Sequence, residues 1–157
     1  MNDMTSIGNK PAAKQGNNFS AYDGGALQQW SGHSVELPGL GEVRGKHFLK
    51  DLLGFTGCEI SINSLPPGAG MPFHHQHKEN EEVYIFIQGQ GQMQIDGEIV
   101  NVKEGSIVRI APNGLRTWRN NAKEPLVYIV IQMKANSLRQ FGLGDGVIPE
   151  KAVVWPN

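Results

Sequence analysis

The chain of 157 residues predicts an all-β domain, a sandwich or barrel, with one short helix ahead of it. Three observations carry that class. Apolar and polar residues alternate with a period of two in several short runs, the pattern of half-buried strands. The chain holds 20 Gly and 9 Pro, a density that supplies many turns. About seven short runs follow one another with turn signals between them, the spacing of a sandwich or barrel.

Taken in order, residues 1–20 are polar and read as a flexible tail. Residues 21–56 form an N-terminal extension. Within it, residues 21–45 alternate short apolar pieces with glycines and read as loops with a weak strand. Phe48, Leu49, Leu52 and Leu53 fall on one helical face, which predicts a helix over 46–53 ended by Gly54. The barrel is expected over 57–134. Residues 58–65 alternate as a half-buried strand, and Pro66-Pro67-Gly68 stops it. Residues 83–87 are a continuous β-branched and aromatic run, suited to a strand covered on both sides. Residues 92–95 and 98–102 flank Asp96-Gly97, a type I′ hairpin signal, because that turn needs positive φ at both central residues. Strands over 106–111, 116–121 and 126–133 complete the set, with Pro112-Asn113-Gly114 as a turn. Residues 135–157 read as a loop-rich C-terminal extension in which 152–155 pair on a sheet edge.

Composition excludes several classes. Net charge is -1 and Lys and Arg form no stripe, so a nucleic-acid partner is not expected. No segment approaches the roughly 20 apolar residues that span a bilayer, so no membrane partner is expected either. The first residues lack a basic and then apolar signal sequence, and Cys58 is the only cysteine. Together these predict a cytoplasmic location, with Cys58 a small buried hydrophobe rather than a catalytic thiol.

Three of the five histidines lie in Phe73-His74-His75-Gln76-His77. On extended backbone, residues two apart share a face, so His75 and His77 aim two imidazoles at one point while His74 and Gln76 point away. Glu82 opens the next strand, and an antiparallel return brings its carboxylate beside the pair. Two imidazoles and a carboxylate suit Fe²⁺, Mn²⁺, Ni²⁺ or Zn²⁺ and leave coordination positions open; no thiolate is present to choose among them. An isolated His-x-His is also what a surface turn produces, so the spacing around it has to decide.

That spacing resembles the cupin superfamily. In the first cupin motif, His-x-His is followed after three or four residues by Glu and after six more by Gly; His75, His77, Glu82 and Gly89 match it. Gly68 resembles the leading glycine, one residue further from His75 than the motif asks. In the second motif, Gly105, Pro112, Gly114 and Asn121 resemble Gly, Pro-x-Gly and Asn, with one extra residue before the proline. The usual histidine falls on Thr117, which implies that the fourth metal ligand of the family is missing. The resemblance covers about residues 57–134. It implies a six- to eight-stranded jelly roll, the double-stranded β-helix, with the metal inside it. It implies no single reaction, since cupins include isomerases, dioxygenases, decarboxylases, lyases and binding proteins.

Tyr84 and Phe86 share a face with Glu82, as cavity lining or as plain core. Arg116, Thr117 and Trp118 stand where the second motif delivers side chains to the barrel mouth, as a carboxylate clamp and pocket wall or as an exposed strand. Parity sets Arg116 and Trp118 on one face and Thr117 and Arg119 on the other, without saying which is inward. Glu81 or Tyr84 is a candidate acid or base, and His33 or His47 a distant source of a fourth ligand. Two functions fit: a small metalloenzyme of dioxygenase, isomerase or lyase type, or a binding module with a degenerate metal site. Both take a small polar molecule as ligand. A homodimer is expected, with the segment around Phe19–Trp30 covering a sheet edge.

Overall fold

The structure, a computed structural model, describes residues 12–157. The tail expected over residues 1–20 therefore falls mostly outside the described residues. Its end forms a two-rung hairpin, β1 (Lys14–Gln15) with β2 (Ser20–Ala21). A 3₁₀ helix over Leu27–Gly32 and a second hairpin, β3 (Ser34–Leu37) with β4 (Gly41–Arg44), occupy the stretch read as loops with a weak strand.

The expected helix over 46–53 is shorter than its apolar spacing suggests. Lys46–Phe48 is a strand, β5, and only Lys50–Leu53 is helical, α1. Strand β6 (Glu59–Leu65) lies beside it and offers a ladder, pairing Lys46 with Asn63 and Phe48 with Ser61. The same strand starts the helix, because Glu59 Oε1 accepts hydrogen bonds from the backbone N–H of Leu49 and Lys50. Gly54 ends it in the left-handed region at φ 74, as expected.

The remaining strands are β7 (Asn80–Gln88), β8 (Gln90–Ile95), β9 (Glu98–Lys103), β10 (Ile107–Ile110), β11 (Arg116–Arg119) and β12 (Leu126–Lys134). All seven strands read from the sequence are present as β6–β12. Asp96 and Gly97 take φ of 50° and 87°, the two positive values that the β8–β9 turn needs. One sheet has the order β10-β7-β12-β6-β5 and the other β11-β8-β9, all neighbours antiparallel. The stretch 68–77 runs along β11 as an interrupted fourth strand, with bridges Gly70–Arg119 and His75–Arg116.

Tyr84, Phe86, Met93, Val102, Trp118, Leu126 and Tyr128 fill the space between the two sheets. This is a two-sheet jelly roll, the double-stranded β-helix expected from the sequence. On the outer face of the larger sheet, Trp30 packs on Ile62 and Val127, with Leu27, Leu49 and Ile129 around them. Part of the N-terminal extension thus covers the outer face of its own sheet. Residues 152–155 pair with nothing among the described residues: Val153, Val154 and Trp155 are at least 80% exposed. The edge strand expected there does not form. No described helix is long and apolar enough to cross a membrane.

Candidate metal centre

His75 is fixed by its backbone, whose N–H and C=O both bond Arg116, each at 3.0 Å. The His77 carbonyl accepts from the Asn113 N–H at 2.8 Å, so the stretch carrying both imidazoles is tied to the β10–β11 corner. Glu82 sits on β7 between Ile110 of β10 and Gln132 of β12. Its parity matches that of Tyr84 and Phe86, which places its carboxylate inside the barrel.

The three side chains converge. One ligand atom from each of His75, His77 and Glu82 lies within 4.8 Å of the others. His77 Nε2 is 3.2 Å from Glu82 Oε1, and His75 Nε2 is 4.0 Å from Glu82 Oε2. Glu82 is well supported. Its Oε2 accepts from the Arg116 guanidinium and from the Tyr84 hydroxyl at 2.7 Å, and its Oε1 accepts from Gln132 Nε2 at 3.1 Å. Burial works against the charged carboxylate, but these hydrogen bonds and the Arg116 charge win and hold it below the usual carboxylate range. Burial, and then the Arg116 charge, pushes His75 down to about 4, so its imidazole is neutral at physiological pH.

A divalent cation fits this set. A neutral imidazole and a charged carboxylate are the protonation states that metal ligation requires. His77 Nε2 is buried and has no hydrogen-bond partner among the described residues, an orphan that a shared cation would satisfy.

Residues 62–132 match the cupin domain family model. The chain is also 44% identical to a cupin protein of Bacteroides fragilis whose structure it superposes on with a TM-score of 0.65, over 66% of this chain and 88% of that one. This chain is a cupin. Its fold is shared at 21% identity and a TM-score of 0.54 with a predicted oxalate decarboxylase of Thermotoga maritima, over 65% of this chain and 90% of that one. By sequence it is 26% identical over 96 residues to the 5-nitrosalicylic acid 1,2-dioxygenase of a Bradyrhizobium species, 60% of this chain and 42% of that one. The chain spans about half the length of the curated relatives it matches.

The structure corrects the second motif by one residue. Asn113 is the position with left-handed backbone, at φ 68, where the motif has glycine. Asn120, not Asn121, is the buried asparagine, bonding the Leu65 and Glu124 carbonyls and the Ala122 N–H. With Gly105, Asn113 and Asn120 as anchors no extra residue is needed, and the histidine position falls on Arg116. Thr117 does not face the ligands. Its hydroxyl meets the Met71 carbonyl at 3.3 Å, and it lines an outer groove with Gln92 and Arg119. The fourth ligand of this cupin is therefore replaced by a fully buried guanidinium salt-bridged to Glu82.

The other candidates separate in the same way. Trp118 is inward, with its ring 5.7 Å from His75 and 5.3 Å from Tyr84, and its indole N–H donates to Tyr128 Oη at 2.8 Å. Phe86 lies deeper, against Tyr128, as core. His47 pairs with Ile62 on the outer side of the larger sheet and stacks on His33, so neither reaches the centre. Glu81 faces outward and is bonded to Arg109 at 2.6 Å. By sequence Gln132 is one of four strand glutamines, with Gln88, Gln92 and Gln94, any of which could hydrogen-bond a ligand; β12 brings this one beside Glu82 from fifty residues away, and no local signal singles it out.

Proposed function

We propose that this cupin holds one divalent ion with His75, His77 and Glu82 and uses it on a small polar metabolite in the same barrel mouth. The observation that carries the reading is the convergence of the three ligand atoms within 4.8 Å, with the His75 imidazole neutral and the buried His77 Nε2 turned to the Glu82 carboxylate without a hydrogen bond. When bound, Fe²⁺, Mn²⁺, Ni²⁺ or Zn²⁺ supplies Lewis acidity or, for iron and manganese, oxygen activation. The dioxygenase among the relatives supports the oxygen-activating class over isomerase or lyase chemistry. Arg116 and Tyr84 fix the orientation of the Glu82 carboxylate, and Trp118 walls the pocket beside His75. Burial and the Glu82 charge push the Tyr84 hydroxyl far above its ordinary value, so it acts as a hydrogen-bond donor and not as a base. The test is element analysis of protein from metal-supplemented growth. Near-stoichiometric metal is expected, and His75→Ala with His77→Ala strips it. Wild-type protein without metal rejects the proposal.

Arg116 favours a second reading, a metal-free binding module. Its cation already neutralises Glu82 from the fourth ligand's position. A metabolite-induced rise in melting temperature that survives a chelator would select this module over the metalloenzyme.

A further inference from the structure

We propose that Lys46, held by Ser61 and Asn63 on the inner wall of the barrel, binds the carboxylate of a small organic acid and presents that acid to the metal centre. The second half deepens the function proposed above and rests on it; the first half does not.

Leu65 belongs to the core between the sheets, so Ser61 and Asn63, four and two residues before it on β6, also face the interior. Both are buried, at 3% and 2% exposure. Lys46 Nζ bonds them from β5, at 3.1 Å to Ser61 Oγ and 2.9 Å to Asn63 Oδ1, and lies 4.8 Å from the centre of the Phe48 ring. All three partners are neutral. Among the described residues no carboxylate lies within ion-pair distance of this amine, whereas Lys50 and Lys134 pair with Asp51 and Glu79 at the surface.

An ammonium turned inward without a direct ion-pair partner is costly, because burial weakens its hydration and the carboxylates that act on it do so only at a distance. Burial pushes the amine down to about 8, against the opposing fields of Glu82 and Glu59, so it still carries a proton at neutral pH. Ser61 completes the site. Its Oγ accepts from Lys46 Nζ and from Asn63 Nδ2 at 3.0 Å, which leaves the hydroxyl proton free to donate. Asn63 Nδ2 is itself occupied by Ser61 and the Tyr128 carbonyl. One ammonium and one hydroxyl, both donors, match the single charge and two oxygens of a carboxylate. A phosphate dianion would bring a second charge that this wall does not balance. Ser61 pairs with Val130 and Val130 with Tyr84, two residues from Glu82 on the same face, so the amine bonded to Ser61 faces the same interior as the metal ligands.

The experiment uses benzoate as probe and benzamide as its neutral control. Saturation-transfer NMR on full-length protein in chelator is expected to show benzoate binding and no benzamide binding. Lys46→Met is expected to weaken benzoate at least about tenfold, and Ser61→Ala severalfold. Lys46→Gln serves if the methionine variant does not fold. Benzoate binding unchanged in these variants, absent from wild-type protein, or equalled by benzamide overturns the anion site. With Mn²⁺ added, bound benzoate is expected to broaden while Lys46→Met binds Mn²⁺ no more weakly than wild type. Benzoate that stays sharp on the Mn²⁺-loaded protein overturns its presentation to the metal. Benzoate binding in a wild-type protein that takes up no Mn²⁺ upholds the anion site and overturns the metal reading.

Discussion

Arg116 sets the electrostatics of the centre more than any other residue. A metal beside Glu82 meets a buried guanidinium on the same carboxylate, and two unit charges 4 Å apart interact by about 4 kcal/mol at the effective dielectric of protein sites. Arg116→His removes that repulsion and installs the family's fourth imidazole. It is expected to tighten Mn²⁺ or Zn²⁺ binding more than about tenfold by calorimetric titration. In chelator the same variant leaves Glu82 without its buried partner and is expected to lose about 3–5 kcal/mol of stability, recovered when metal is added. A variant that binds metal no better than wild type would show that Arg116 does not oppose the ion. Lys46 gives a pH signature. Its amine has a pKa lowered to about 8 in the fold, from 10.5. Below pH 8 both folded and unfolded chains hold the proton and the burial penalty is full. Between these values the unfolded chain holds the proton and the fold has released it, so stability rises with pH. The urea-unfolding free energy of wild type minus Lys46→Met is expected to move in favour of wild type by up to about 3 kcal/mol from pH 7.5 to 10.5. A flat difference would mean that the amine is not desolvated.

At the scale of elements, β5 is the strand that delivers Lys46, and its position depends on the bend at Gly45. Gly45 has φ 70, its N–H donates to the His33 carbonyl at 2.6 Å, and its own carbonyl accepts from the Ser64 N–H at 2.8 Å. A Cβ there would collide with the Ser64 carbonyl. Gly45→Ala is expected to cost about 2–4 kcal/mol in chemical unfolding and to loosen amide protection along β5, with little change along β8 and β9. Equal loss of protection across both sheets would argue against this local role. The same element shows why a helix was expected. Phe48, Leu49, Leu52 and Leu53 have helical spacing, yet Phe48 faces the barrel while Leu49 joins the outer cluster. A short apolar run does not distinguish strand from helix by period, and the unpaired edge of β6 decided it.

For the whole molecule, the C-terminal stretch stands apart. Leu138, Phe141, Leu143, Ile148 and Trp155 are all more than 70% exposed. Within one chain they bury almost nothing, so removing residues 138–157 is expected to change the melting temperature of a monomer by no more than about 3 °C. A homodimer, expected from the sequence through the Phe19–Trp30 segment, would also give so apolar an arm a surface to cover. Sedimentation is expected to show a dimer for the full chain and a monomer for the shortened one; a full-length monomer would refute the pairing. Strands β6–β12 and the trio His75, His77 and Glu82 were legible in the sequence because both are local signals. Alternation marks a strand's buried face, and a spacing of two puts both imidazoles on one side. Three features were not legible. The Arg116 guanidinium at the fourth position depends on Asn113 taking positive φ, a one-residue choice of register. Gln132 beside Glu82, and Lys46 on Ser61 and Asn63, come from strands distant in sequence, and only the order β7-β12-β6-β5 sets them around one interior. Ladder pairing decided those neighbours, because the partner a strand finds depends on the chain's global path and leaves no periodic trace in the segments it joins.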